Sequence, residues 1–387
     1  MGLNPHCGAE ISGEKEIGKA ILNFLKNILD QKLVDGLLMP VMVPSGDSYA
    51  WILMKDSTLV DQANPLAPVM PVQGAKALKS LTRKGKSNMT IAAVMRPCEV
   101  KAAVELTKLS QVNLDHIVLF SYDCPGAIPL EVYSQDPAGE ESHFQSMIDE
   151  KQFEDEGVKP VCQICTDFSV PASDLHFALA GEEGLKPVIV SCSEKGSGLL
   201  EKMGLKTSHD LTPWENRVEE IRKAKTKKKE EVYITVQHMV EGFDNLLDTF
   251  SNCIGCHNCQ SACPICYCRQ CYFDSKEAKP EAYFLLEQAE KRGGISFPKD
   301  KIMFHVGRMS HMSLSCVSCG LCSDACPVSI PVARIFSYVA AQTQKAFEYN
   351  AGRTAGEALP MKEYKMDELK EIHEMIKNAE SVGVPHE

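Results

Sequence analysis

Long apolar runs are missing from this chain. No stretch approaches the roughly 18–20 consecutive apolar residues that a membrane-spanning helix needs. The longest candidates, Leu37–Val43 and Ile117–Phe120, have the length of buried strands. The first residues, MGLNPHCGAEISGEKE, carry no apolar core of a secretory leader, so a cytoplasmic chain is expected. Basic excess is missing too, since 41 Lys and Arg face 52 Asp and Glu, a formal net charge of −11. Nucleic acid and anionic membrane both select basic surfaces, so neither is expected as the main partner.

What the chain has in excess is cysteine, 17 in 387 residues. An odd count, grouped in tight C-x-x-C spacings, suits thiolate–metal bonds better than disulfide staples. That points to a reducing and anoxic setting. The length is room for two or three domains, and a hydrophobic fraction of 44% builds a normal core.

Apolar positions at Ile17, Ile21, Phe24, Leu25, Ile28 and Leu33 follow a helical period across 15–34. Strands are expected at Gly36–Val43, Ala50–Met54, Thr90–Met95, His116–Ser121 and Lys186–Ser191, with helices at Gln73–Thr82 and Val100–Leu109. This alternation predicts an α/β layer over 1–205, with Cys98 and Cys124 where strands end, the usual place for sites in such sheets. Residues 130–160 show no clear period. The charge run at 214–232 reads as a solvated helical linker, with a basic docking patch as the other reading; it sets a linker region at 206–245. A cysteine-rich module follows at 246–345 in a mostly helical C-terminal region, with a helix at Pro280–Arg292 stopped by Gly293-Gly294. The tail, 346–387, contains an amphipathic stretch, Lys362–Ile376, expected as a docking or capping helix with no chemistry.

Two runs within that module share one spacing. The first holds Cys253, Cys256, Cys259 and Cys263 before Pro264; the second holds Cys316, Cys319, Cys322 and Cys326 before Pro327. Both read C-x2-C-x2-C-x3-C-P. In this pattern three close thiolates cap one [4Fe–4S] cubane and the fourth ligates the other cluster. One cluster is therefore expected on Cys253, Cys256, Cys259 and Cys326, and a second on Cys316, Cys319, Cys322 and Cys263, in a ferredoxin-like arrangement. Zinc ribbons use two pairs of cysteines and have no need of a third thiolate at this spacing.

The remaining cysteines leave alternatives open. Cys266, Cys268 and Cys271 form C-x-C-x2-C, either three ligands of a further cluster, with Cys7 or Cys192 as a fourth, or packing thiols. Cys98, Cys124, Cys162 and Cys165 are four thiols, the number a cubane needs; spacing alone does not decide whether they hold one. His176, His257, His305 and His311 are candidate proton carriers or ligands, with a structural role as the plain alternative. Asp167 and Asp174 read as turn caps.

The segments RPCEV (96–100) and CQICTDF (162–168), with ASDLHFALAG (172–181), resemble the beta-subunit family of deazaflavin-coenzyme-reducing hydrogenases and formate dehydrogenases. The resemblance covers about residues 15–205. It implies that Cys98, Cys124, Cys162 and Cys165 hold a third [4Fe–4S] cluster beside a flavin, FAD, which exchanges two-electron for one-electron transfer. Arg96 stands where the family has Thr and Glu99 where it has Gln, and no Gly-Gly loop near the N-terminus offers itself to a flavin phosphate. Arg96 and Glu99 are the candidate cofactor contacts: Arg96 either pairs with a cofactor phosphate or carboxylate or bridges to Glu99.

The expected function is an iron–sulfur, flavin-containing oxidoreductase subunit. It would pass electrons between clusters and a flavin or the deazaflavin coenzyme. The family implies a catalytic partner, a molybdopterin formate dehydrogenase or a nickel–iron hydrogenase subunit, with a heterodisulfide-reductase-like complex as a third. The alternative is a flavin-free conduit that joins two larger redox complexes.

Overall fold

The structure, a computed structural model, describes residues 7–11, 16–169, 172–181, 187–205, 210–275, 281–293, 300–360 and 362–363. Seven strands form one sheet in the order β1-β7-β6-β5-β4-β2-β3. They are β1 (Cys7–Glu10), β2 (Gly36–Met42), β3 (Tyr49–Met54), β4 (Ile91–Val94), β5 (Ile117–Tyr122), β6 (Leu175–Ala178) and β7 (Val188–Ser191). Strands β2, β4, β5 and β6 are parallel neighbours, and the antiparallel β3, β7 and β1 extend the two sides. The central β4 and β5 are buried at every position. That is the physical meaning of the apolar runs Ile91–Val94 and Ile117–Phe120: both faces of a parallel sheet are covered.

In the first half the helices are α1 (Ile17–Asp30), α2 (Gly74–Thr82), α3 (Pro97–Lys108), α4 (Leu130–Gln135), α5 (Pro137–Asp149) and α6 (Glu194–Lys202). The second half adds α7 (Thr212–Val240), α8 (Phe243–Thr249), α9 (Asn258–Ala262), α10 (Ala282–Arg292), α11 (Asp300–Met312), α12 (Leu321–Asp324) and α13 (Val332–Ala346). The expected N-terminal mixed α/β sheet is therefore present, with a helical C-terminal half. Helix α10 ends where the sequence indicated, with Gly293 in the left-handed region at φ 71°.

Three expectations need correction. Residues 130–149, read as aperiodic, form α4 and α5; α5 buries only Phe144, Met147 and Ile148, too few to show a stripe. Strands β1 and β6 were not expected: unlike the equally short β4 and β7, CGAE and LHFA are not runs of β-branched and other apolar residues. The charge run is helical, but α7 is not solvated all round: Trp214, Val218, Ile221, Lys225 and Val236 are buried. The tail helix expected at Lys362–Ile376 lies almost wholly outside the described residues.

One face of the sheet is covered by α1 and the start of α7. The other is covered by α2 and α3, and here Ala75, Val100 and Leu106 share a single core with Phe304, Val317 and Ile335 of the cysteine-rich region. The two halves are thus packed through apolar burial. Asp123, after β5, anchors α7 to the sheet. It accepts from the N–H groups of Leu179 (2.7 Å) and Ala180 (2.8 Å) and from Trp214 Nε1 (2.7 Å), and lies 2.8 Å from His176 Nε2. Asp123→Asn puts an NH2 among these donors and is expected to cost about 1–3 kcal/mol. A denaturation midpoint unchanged from the parent protein would contradict that role. His176 is accounted for by this contact.

Candidate iron–sulfur centres

Three groups of cysteines emerge from these elements. Cys98 is the second residue of α3, directly after β4; Cys124 follows β5; Cys162 and Cys165 lie on the loop packed beneath α7. The loop is fixed from several sides. Cys124 N–H donates to Phe168 O at 2.8 Å, Cys162 N–H to Lys159 O at 2.7 Å, and Lys225 Nζ of α7 to Cys162 O at 3.0 Å. Burial pushes the Cys98 thiol well up, helped by the charge of Glu99 and then by Cys319, Cys124 and Cys162. Burial, Cys124 next, likewise raises Cys162, and burial, Asp167 and Cys162 raise Cys165 to about 12. Thiols crowded this way ionise in one another's company only beside a cation, which bound iron would supply. The donor set fits a cubane.

In the second half, Cys259 is pushed up by burial, pulled down by Arg308, and pushed up again by Cys253, Cys256 and Cys326. The Cys316, Cys319 and Cys322 thiols are each raised by burial and by Cys263. Cys326 is thus close enough to the first run, and Cys263 to the second, for their charges to act on those thiols. The short helices α9 and α12, one per run, pack against each other. Gly320 shows how tight the approach to the α/β half is: its φ is +85°, and a Cβ there would meet Val161 Cγ1 at 2.8 Å. Lys159, fully buried, pairs with Asp324 across the same boundary.

Side chains outside the cysteine motifs complete the setting. Arg308 Nη1 donates to Cys259 Sγ at 3.0 Å and Nη2 to Cys259 O at 3.1 Å. Its charge also reaches Cys266, Cys263 and Cys322, so it stands between the first two groups. His305 Nε2 lies 3.4 Å from Cys253 Sγ, and the ring stacks on Phe250 at 3.9 Å. Burial, then Arg308 and His257, push its pKa to about 3, which keeps it neutral. His257 stacks on Phe304 at 3.8 Å. Nothing in the sequence FHVGRM singles out Arg308; only the fold brings it to the thiols.

Arg96 and Glu99 are both committed to the chain's own groups. Arg96 Nη1 donates to Cys124 Sγ (3.2 Å) and Gly126 O (2.5 Å), and Nη2 donates to Ala67 O. Glu99 accepts from Gly74 N–H (2.7 Å) and Arg96 N–H (2.9 Å). The cavity against them, walled by Trp51, Val94 and Tyr122, is about 10 Å³, space for one water at most. Of the remaining cysteines, Cys192 lies at the end of β7, its N–H bonded to Asp174 O. Cys266, by contrast, touches Met312 Sδ at 3.4 Å and lowers the pKa of the Cys263 thiol to about 6. Among the described residues no three His, Cys, Asp or Glu close round a single metal ion, and no helix is long and apolar enough to cross a membrane.

Residues 249–330 match a 4Fe–4S dicluster domain model. The chain is similar to the F420-dependent formate dehydrogenase subunit beta of Methanocaldococcus jannaschii, 28% identical over 376 residues, 87% of this chain and 92% of the relative. It is similar to subunit beta of F420-dependent formate dehydrogenase 1 of Methanococcus maripaludis, 29% identical over 381 residues, 87% and 91% covered. These likenesses bear out the beta-subunit resemblance read from residues 96–100 and 162–168. A chain of the F420-reducing [NiFe] hydrogenase complex from Methanosarcina barkeri aligns with a TM-score of 0.43 at 12% identity, over 61% of this chain and 96% of that one, too loose a likeness to bear on function.

Proposed function

We propose that this chain, whose curated relatives are beta subunits of F420-dependent formate dehydrogenases, is the iron–sulfur electron-transfer subunit of a formate-oxidising complex. Each bound [4Fe–4S] cluster supplies one-electron transfer. The observation that carries the proposal is the continuity of the three cysteine groups. Arg308 touches Cys259 of the first group and its charge interacts with Cys263 of the second, while the charge of Cys319 in the second reaches Cys98 of the third. An electron taken at the first group, where Cys256 is exposed, has a path through the second into the sheet. Arg308 donates to one thiolate and Arg96 to another, and such N–H···S bonds tune potentials. The natural partner on this reading is a molybdopterin subunit that oxidises formate.

The residues around Arg96 do not fit a flavin: its guanidinium and the Glu99 carboxylate are spent internally, and the space beside them admits one water. This favours a flavin-free conduit over FAD at that place. The F420-dependent relatives favour the deazaflavin coenzyme as acceptor.

Metal and flavin content of the anaerobically purified protein tests both. The twelve cysteines of the three groups call for about 12 irons per chain. No released flavin is expected; one flavin per chain would restore the flavoenzyme reading. About 8 irons on those twelve cysteines would remove the centre in the sheet and with it the path.

A further inference from the structure

Beside the second cysteine group lies a cavity of about 310 Å³, roughly ten times the share of one liquid water. Cys266, Cys268 and Cys271 all line it, together with His311 and Met312 on the facing α11. Arg308 and Ser315 line it as well, both 2% exposed. Each keeps a buried donor with no partner, Arg308 Nε and Ser315 Oγ. A buried donor left unpaired costs about 1–3 kcal/mol, and sulfide sulfur is the acceptor that a thiol-lined cavity would bring to it. C-x-C-x2-C is also not the paired spacing of a zinc ribbon.

We infer that Cys266, Cys268 and Cys271 hold a further [4Fe–4S] centre in this cavity, with His311 supplying an imidazole for the fourth corner and Arg308 Nε and Ser315 Oγ donating to its sulfur. The inference rests on the reading of this chain as a cluster carrier. Cys266 follows Cys263 of the second group by three residues, and Cys268 is exposed. The added centre therefore sits between the line of clusters and the surface, as a side port for a second electron partner.

Iron and acid-labile sulfide are measured in anaerobic wild-type protein and in Cys268→Ser/Cys271→Ser. The variant is expected to hold about four irons fewer per chain and to lose one reduced-cluster signal in low-temperature EPR. Equal iron in the two proteins overturns the further centre. The three-cluster reading is judged separately, by whether the variant retains about 12 irons. A second measurement needs no variant. In holo-protein treated with iodoacetamide, Cys268 is expected to stay unlabelled until iron is stripped by a chelator under oxidising conditions. Prompt labelling of Cys268 with all iron still bound overturns the centre.

Discussion

Replacing Cys319 by alanine is expected to remove about four irons per chain and to reduce electron delivery between formate and any acceptor beyond the second group to background. In the proposed second centre Cys319 would join Cys263, Cys316 and Cys322, and its charge is the one of that group that reaches Cys98. Its loss breaks the path at its middle, while the first group keeps all four of its thiols. Dyes that accept electrons at the exposed Cys256 end should therefore still be reduced. The decisive measurement pairs iron content with reduction assayed at either end in the assembled complex. If Cys319→Ala keeps all its iron, or loses iron without losing through-transfer, the linear order of centres is wrong.

Arg96→Leu is expected to destabilise the α/β half by about 3–5 kcal/mol, the cost of leaving one member of a buried charged set without its counterpart. Arg96 is 4% exposed and Glu99 2% exposed. Burial raises the Glu99 carboxyl, and Arg96 is the strongest influence pulling it back down. The carbonyls of Ala67 and Gly126 lose their donor as well. Adding Glu99→Gln should return part of the loss, because the orphaned charge goes with it. Chemical denaturation of the three variants under anaerobic conditions reads this directly. A double variant no more stable than Arg96→Leu alone would mean that Glu99 is not the group Arg96 serves. The same substitution removes a donor from Cys124 Sγ, so the reduction potential of the centre in the sheet should become more negative.

The cluster-binding half was legible because iron–sulfur ligation imposes a rigid local spacing, and Cys253 to Cys263 and Cys316 to Cys326 carry it without help from the fold. Strands β4 and β5 were legible for a similar reason, since burial on both faces leaves them mostly apolar, Ser121 and Tyr122 at the end of β5 excepted. Arg308 and His305 were of another kind. They lie some fifty residues along the chain from Cys253 and Cys259, and only the packing of α11 against the first run brings them to sulfur. The role of Arg96 was also out of reach. RPCE presents a cation and an anion at a strand end, and whether they face outward to a ligand or inward to the chain depends on the carbonyls of Ala67 and Gly126, set by loops elsewhere. The charge run at 214–232 misled for a related reason: the buried face of α7 is narrow, and Lys225 is buried with its amine on a carbonyl.

After α13 the chain turns back onto α3. Tyr349 Oη and Gly352 N–H donate to Glu105 at 2.5 and 2.7 Å, and Lys108 Nζ reaches Tyr349 Oη at 2.7 Å. Gly352 is seated so closely, at φ +73°, that a Cβ would lie 2.5 Å from Lys101 Cα. This clasp joins residues 349–352 to the helix that carries Cys98, so among the described residues the spacing between the cysteine group at the sheet and the other two is set by packed structure. Transfer inside this chain should then be a pure tunnelling event without conformational gating. Its rate should be insensitive to added glycerol or sucrose, and viscosity should slow only the encounters with partners at the ends of the line.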